Sequence, residues 1–146
     1  MQALLRVLAA GRHVAELGTA FGEGAAAMAE TARSVVTVEL DRERAALARQ
    51  RLGPLANVEA LAGDAYALLR GRGPFGLVFA DGGSYDWDAI LELTEIGGFI
   101  VKDDLTPRRA VDGDPVREFL LRDPRIVSVE ILTTPDTAAI VAVRLA

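Results

Sequence analysis

The stretch His13-Val-Ala-Glu-Leu-Gly-Thr-Ala-Phe-Gly-Glu-Gly-Ala-Ala-Ala-Met28 constrains this chain more than any other. A short apolar strand runs to Leu17, glycines follow at Gly18, Gly22 and Gly24, and an alanine-rich helix begins. Glycine lets the backbone turn with unusual φ and lets a ligand approach with no Cβ in the way. The helix beyond presents free N–H groups and a positive dipole end. Such a strand-to-helix corner is built to hold a small polar ligand. Dinucleotide sites space their glycines G-x-G-x-x-G and set a pyrophosphate on the helix end. Here the spacing is Gly18-x-x-x-Gly22-x-Gly24, with Glu16 just before it. An acid at that point repels a pyrophosphate and suits a cation such as an amino group.

The rest of the chain repeats the alternation. A helix is expected over 2–10, with His13, the only histidine, opening the first strand as a solvated edge residue. Further helices are expected over 23–32, 41–52, 65–70, 88–94 and 115–121. Strands are expected over 34–40, 57–62, 75–81 and 97–104, and a closing antiparallel hairpin over 125–133 and 138–145. Together these predict a doubly wound α/β fold, Rossmann-like: one seven-stranded sheet, mostly parallel, with one strand reversed by the C-terminal hairpin. At 146 residues the chain is read as a single domain, 1–146, with one substantial core.

Several strand ends carry acids. Glu39 closes the second strand twenty-one positions after Gly18, where a carboxylate can accept both hydroxyls of a ribose. That supports a nucleoside without naming the cofactor. Asp64 follows the third strand and doubles as a good N-cap for the next helix. Asp81 ends the fourth strand, and Asp103 and Asp104 end the fifth. Acids gathered so closely are costly unless something cationic sits among them. Three oxygen ligands from neighbouring strand ends suit a hard divalent cation such as Mg²⁺, which would lower an acceptor hydroxyl's pKa.

Glu16-Leu-Gly-Thr-Ala-Phe-Gly22 resembles motif I of the class I S-adenosylmethionine-dependent methyltransferases, in the E-x-G-x-x-x-G form of their small-molecule O-methyltransferases, the catechol and caffeoyl-CoA-like families. Leu77-Val-Phe-Ala-Asp-Gly-Gly-Ser-Tyr85 resembles their motif IV, and Gly97-Gly-Phe-Ile-Val-Lys-Asp-Asp104 their fifth-strand segment. The resemblance implies S-adenosylmethionine as cofactor, a small-molecule acceptor, and O-methylation with or without a metal. It implies cofactor contacts from Glu16, Gly18, Thr19, Ala20, Phe21, Gly22, Glu39, Leu40, Gly63, Asp64, Ala65 and Asp81. Asp64 would pair with the adenine amino group, and Asp81 would face the transferring methyl.

The chain also departs from that pattern. The metal-dependent relatives carry Asp, Asp and Asn where this chain has Asp81, Asp103 and Asp104. Their lysine base three positions after the motif IV Asp is replaced by Ser84. A protein that binds the cofactor without transferring a methyl is therefore the alternative reading. One compensation is available: among fifteen arginines there is a single lysine, Lys102, next to Asp103. Lysine can be tuned toward neutrality and arginine cannot. Lys102 is thus a candidate base or counter-charge, against the plainer reading that it snorkels to solvent.

Ser84, Tyr85 and Trp87 belong to a loop over the acceptor side, where the aromatics either line its pocket or anchor the loop. Arg108 and Arg109 lie on the longest loop, facing either an anionic substrate or water. A formal charge of −5 and no larger basic cluster argue against nucleic acid as partner. No apolar run is long enough for a membrane, and cysteine is absent, so the expectation is a cytoplasmic protein. The single short helix before the first strand leaves cover for the acceptor to the 82–87 and 104–113 loops, or to a second subunit of a homodimer.

Overall fold

A computed structural model describes residues 1–146. Its sheet has seven strands in the order β3-β2-β1-β4-β5-β7-β6. They are β1 (His13–Leu17), β2 (Ser34–Glu39), β3 (Val58–Ala62), β4 (Phe75–Ala80), β5 (Thr94–Leu105), β6 (Ile126–Leu132) and β7 (Ala138–Arg144). The first five are parallel; β7 runs antiparallel between β5 and β6. The expected doubly wound sheet with one reversed strand is what forms.

Every residue of β4 is buried, as a central parallel strand covered on both faces requires. On one face, α1 (Gln2–Ala9), α2 (Glu23–Ala29) and α3 (Arg42–Leu52) bury Leu5, Met28 and Leu52 against Val14, Leu77 and Phe79. On the other, α4 (Ala65–Leu69), α5 (Trp87–Leu93) and α6 (Pro115–Arg122) bury Leu69, Ile90 and Leu120 against Val78, Ile100 and Ile140. Side chains of that size contribute about 1.5–3 kcal/mol each on full burial.

Acidic side chains start four of the helices. Asp41, Asp64, Asp86 and Asp114 each accept from backbone N–H groups of the first turn. Two elements differ from expectation. Helix α2 stops at Ala29, because the Asn57 side chain donates to the carbonyls of Ala29 and Ala32 and satisfies the chain beyond the helix. Strand β5 begins at Thr94 rather than Gly97, with Thr94 paired to Phe75 ahead of a register shift.

Candidate active site

The carboxyl ends of β1, β2, β3 and β4 are tied to one another before any ligand enters. The N–H of Gly18 donates to Val38, that of Gly63 to Glu39, and that of Asp81 to Leu17. Between them lies a cleft of about 290 Å³, lined by Gly18, Glu39, Leu40, Gly63, Asp64, Ala65, Tyr66, Ser84 and Tyr85 among others. Six residues expected to bind cofactor therefore meet in one cavity.

Gly18 shows why glycine stands at this corner. Its φ is +91°, and a Cβ there would lie 3.0 Å from the Asp81 carbonyl oxygen and 3.4 Å from the Tyr85 hydroxyl. Glu39 is held rigidly. One carboxylate oxygen accepts the Ala20 N–H at 2.9 Å and the other accepts the Asp41 N–H at 3.0 Å. Each oxygen keeps a lone pair, so the group can still accept two further hydrogen bonds. Asp64 caps α4 through one oxygen, bonded to the Ala67 N–H, and has the second free. The cleft is lined by two acids and by no lysine or arginine.

Glu16 lies elsewhere. It is 1 % exposed, under the glycine turn and outside the cleft lining. A Cβ on Gly24 would come within 2.2 Å of its Oε1, so the third glycine makes room for this carboxylate. Thr37 donates to Glu16 Oε2, and burial lifts the Glu16 carboxyl to about 8. Thr19 is buried beside it, Gly22 forms the left-handed N-cap of α2, and Phe21 stands 60 % exposed outside the cleft. Thr37 was not a sequence candidate. The signal for it is a hydroxyl in an otherwise apolar strand, in register with Glu16.

Beyond Asp81 is a second recess of about 150 Å³, lined by Gln2, Glu23, Phe79, Asp81 and Asp103 among others. Burial raises the Asp81 carboxyl, Asp103 and Asp104 raise it further, and Lys102 opposes them. Lys102 does not snorkel to solvent. It is 3 % exposed, and its Nζ donates to the carbonyls of Gly82 and Asp103 and stands 5.9 Å over the Tyr85 ring. Burial lowers its affinity for a proton, while the three aspartates pull the other way.

Two expectations are corrected. Asp81, Asp103 and Asp104 do not assemble a metal site: no group of three acidic or histidine side chains is close enough to hold an ion. The cause is local. The β5/β7 register shifts between Lys102 and Leu105, and Asp104 turns out at φ +65° into solvent, away from the recess that Asp81 and Asp103 share. The donor set therefore does not fit Mg²⁺ here. Nor does Trp87 line an acceptor pocket. The Asp86 cap starts α5 so that Trp87 faces the core, edge-on to Tyr85 and stacked on Phe119. Tyr85 shares both roles: it lines the cleft, and its one hydroxyl hydrogen is shared between the carbonyls of Asp81 and Leu17 at the ends of β4 and β1. Arg108 is exposed at φ +60° in the loop after β5, and His13 is an exposed edge residue bonded to Ser34.

A seven-stranded sheet with β7 reversed, and a glycine corner facing an acid at the end of β2, define a class I S-adenosylmethionine-dependent methyltransferase fold. Known proteins agree. The O-methyltransferase TomG from Streptomyces achromogenes, solved in complex with SAM, is 26% identical and superposes with a TM-score of 0.78 over 99% of this chain and 78% of its own. A methyltransferase from Geobacter sulfurreducens shares the fold at a TM-score of 0.80 and 19% identity, over 99% of this chain and 78% of its own. Among curated sequences, the protein-L-isoaspartate O-methyltransferase of Rhodopseudomonas palustris strain BisB5 is 36% identical over 97 residues, 64% of this chain and 45% of the relative. That of Bradyrhizobium is 37% identical over 91 residues, 60% of this chain and 42% of the relative. The chain thus spans less than half the length of the curated relatives it matches. No protein-family profile matches it. The chain has the fold of the class I S-adenosylmethionine-dependent methyltransferases and is similar in sequence to proteins of that class over part of its length.

Proposed function

We propose that the protein transfers a methyl group from S-adenosylmethionine to an oxygen of a small molecule. The observation that carries the reading is the cleft itself: Glu39 offers two free acceptor positions to a vicinal diol, beside a glycine floor and the spare Asp64 oxygen. An acidic lining without cations suits an adenosyl sulfonium and opposes a pyrophosphate.

When bound, the cofactor supplies an electrophilic methyl; the chain must hold the acceptor in line and take its proton. Asp81 and Lys102 are the groups suited to that proton. Burial favours the neutral amine of Lys102, the form that can accept a proton, and raises the proton affinity of the Asp81 carboxylate, while their opposite charges moderate both shifts. Asp81→Asn and Lys102→Met should each lower turnover by about a hundredfold or more while leaving cofactor affinity within a few-fold. Unchanged turnover in both would remove these two from the chemistry.

The isoaspartate relatives favour a protein acceptor, whose reacting group is a carboxylate. The recess beyond Asp81 speaks against it: Glu23, Asp81 and Asp103 line it, with no arginine or lysine among its walls. A second reading, cofactor binding without transfer, is favoured by Ser84 standing where the related enzymes carry a base.

Calorimetric titration with S-adenosylmethionine, its demethylated product and NAD tests the assignment. Binding of the first two and not the third is expected; binding of NAD alone would overturn it. Assays on phenolic, hydroxylic and isoaspartyl-peptide acceptors then separate the readings.

A further inference from the structure

Three polar side chains form a file beneath the glycine turn: Glu16, Thr37 and Thr19, exposed by 1 %, 0 % and 3 %. None lines the cleft. Thr37 sits opposite Glu16 in the β1/β2 register and is bonded to its Oε2 at 2.5 Å. A hydroxyl has one hydrogen to give. Thr37 and Thr19 are in turn bonded to one another at 2.5 Å, either hydroxyl donating according to the proton on Glu16. This fixes the residue immediately after Gly18. The next residue, Ala20, takes φ +46° and gives its N–H to Glu39. The file thus runs from a buried acid on β1, through β2, into the turn that orients the cleft's principal carboxylate. It leaves no buried side-chain polar atom without a partner.

We propose that Thr37 is a positioning residue for the ligand of the cleft, although it never touches that ligand. Through Thr19 it holds the Gly18–Gly22 turn, and with the turn the Ala20 N–H that sets Glu39. The proposal rests on the reading that the cleft binds S-adenosylmethionine. Valine at this position keeps the shape and removes both bonds; serine keeps the hydroxyl.

The test is calorimetric titration of S-adenosylmethionine into the wild type, Thr37→Val and Thr37→Ser, with melting curves for each. Thr37→Val should bind about tenfold more weakly, as befits a lost buried hydrogen bond, and Thr37→Ser should stay within about threefold of the wild type. A purely structural role lowers the melting temperature and leaves the affinity of the folded protein unchanged. Wild-type affinity in folded Thr37→Val therefore overturns the proposal, as does equal weakening in Thr37→Ser. Should Thr37→Val not fold, Thr19→Val breaks only the upper bond, and unchanged affinity there overturns it equally. A wild type that binds no S-adenosylmethionine defeats the cofactor reading and this proposal with it. A wild type that binds, beside indifferent variants, defeats this proposal alone.

Discussion

Glu16 carries its proton to unusually high pH because burial disfavours its charge, with Asp81 and Glu39 adding to the effect. Between the unfolded value of 4.5 and the folded value of about 8, the folded protein keeps a proton that the unfolded chain has lost. Stability therefore falls as pH rises through that window, with a limiting slope of about 1.4 kcal/mol per pH unit. Glu16→Gln keeps an acceptor for Thr37 and removes the titration. Denaturation midpoints of this variant should be flatter between pH 5 and 8 than those of the wild type, and an unaltered slope would assign the effect elsewhere. Gly24→Ala makes the complementary point. Alanine ordinarily gains up to about 1 kcal/mol over glycine in a helix. Here its Cβ would strike the Glu16 carboxylate, and overpacking of about 1–3 kcal/mol prevails. A lower melting temperature is expected, and a higher one would show that Glu16 yields freely.

At the level of elements, Tyr85 and Arg117 stand out among the side chains that hold the loops after β4 and β5. Tyr85 fastens the first to the ends of β1 and β4, so Tyr85→Phe should cost about 1 kcal/mol in chemical denaturation and weaken cofactor binding along with it. Arg117 holds the second. It is 1 % exposed, pairs with Asp114 and Glu130, and donates to the Thr106 carbonyl. Arg117→Ala leaves Asp114 with only its helix-capping bonds and Glu130 without its partner, both within reach of solvent, and a loss of about 1.5–3 kcal/mol is expected on the same measurement. Strands and helices were legible in the sequence to within a few residues, because buried parallel strands read as β-branched runs and aspartates mark the helix starts. The ends that escaped, at Ala29 and Thr94, depend on Asn57 and Phe75, partners remote in sequence. The same holds for the site. Glu39 and Gly18 follow from spacing and Asp64 from the family resemblance, whereas the inward turn of Trp87, the burial of Lys102 and the outward Asp104 depend on packing and on a register shift that no local pattern reveals.

Over the whole molecule, the sheet's two borders are unequal. Strand β3 is short, whereas β6 forms a regular border of seven residues with Val127, Val129 and Leu132 more than half exposed. A border without proline, lysine or bulge invites edge-to-edge pairing. Val129→Lys should suppress concentration-dependent light scattering, and equal scattering would clear this border of blame. No helix is long and apolar enough to cross a membrane. The position of β7 has a further consequence. It separates β5 from β6, yet it is the last strand in the chain. Because β6 pairs with β7 alone, it has no place in the sheet until residues 138–144 are made and lie against it. The β6–β7 hairpin, rather than β6 alone, is therefore the unit that docks onto β5 and completes this side of the sheet.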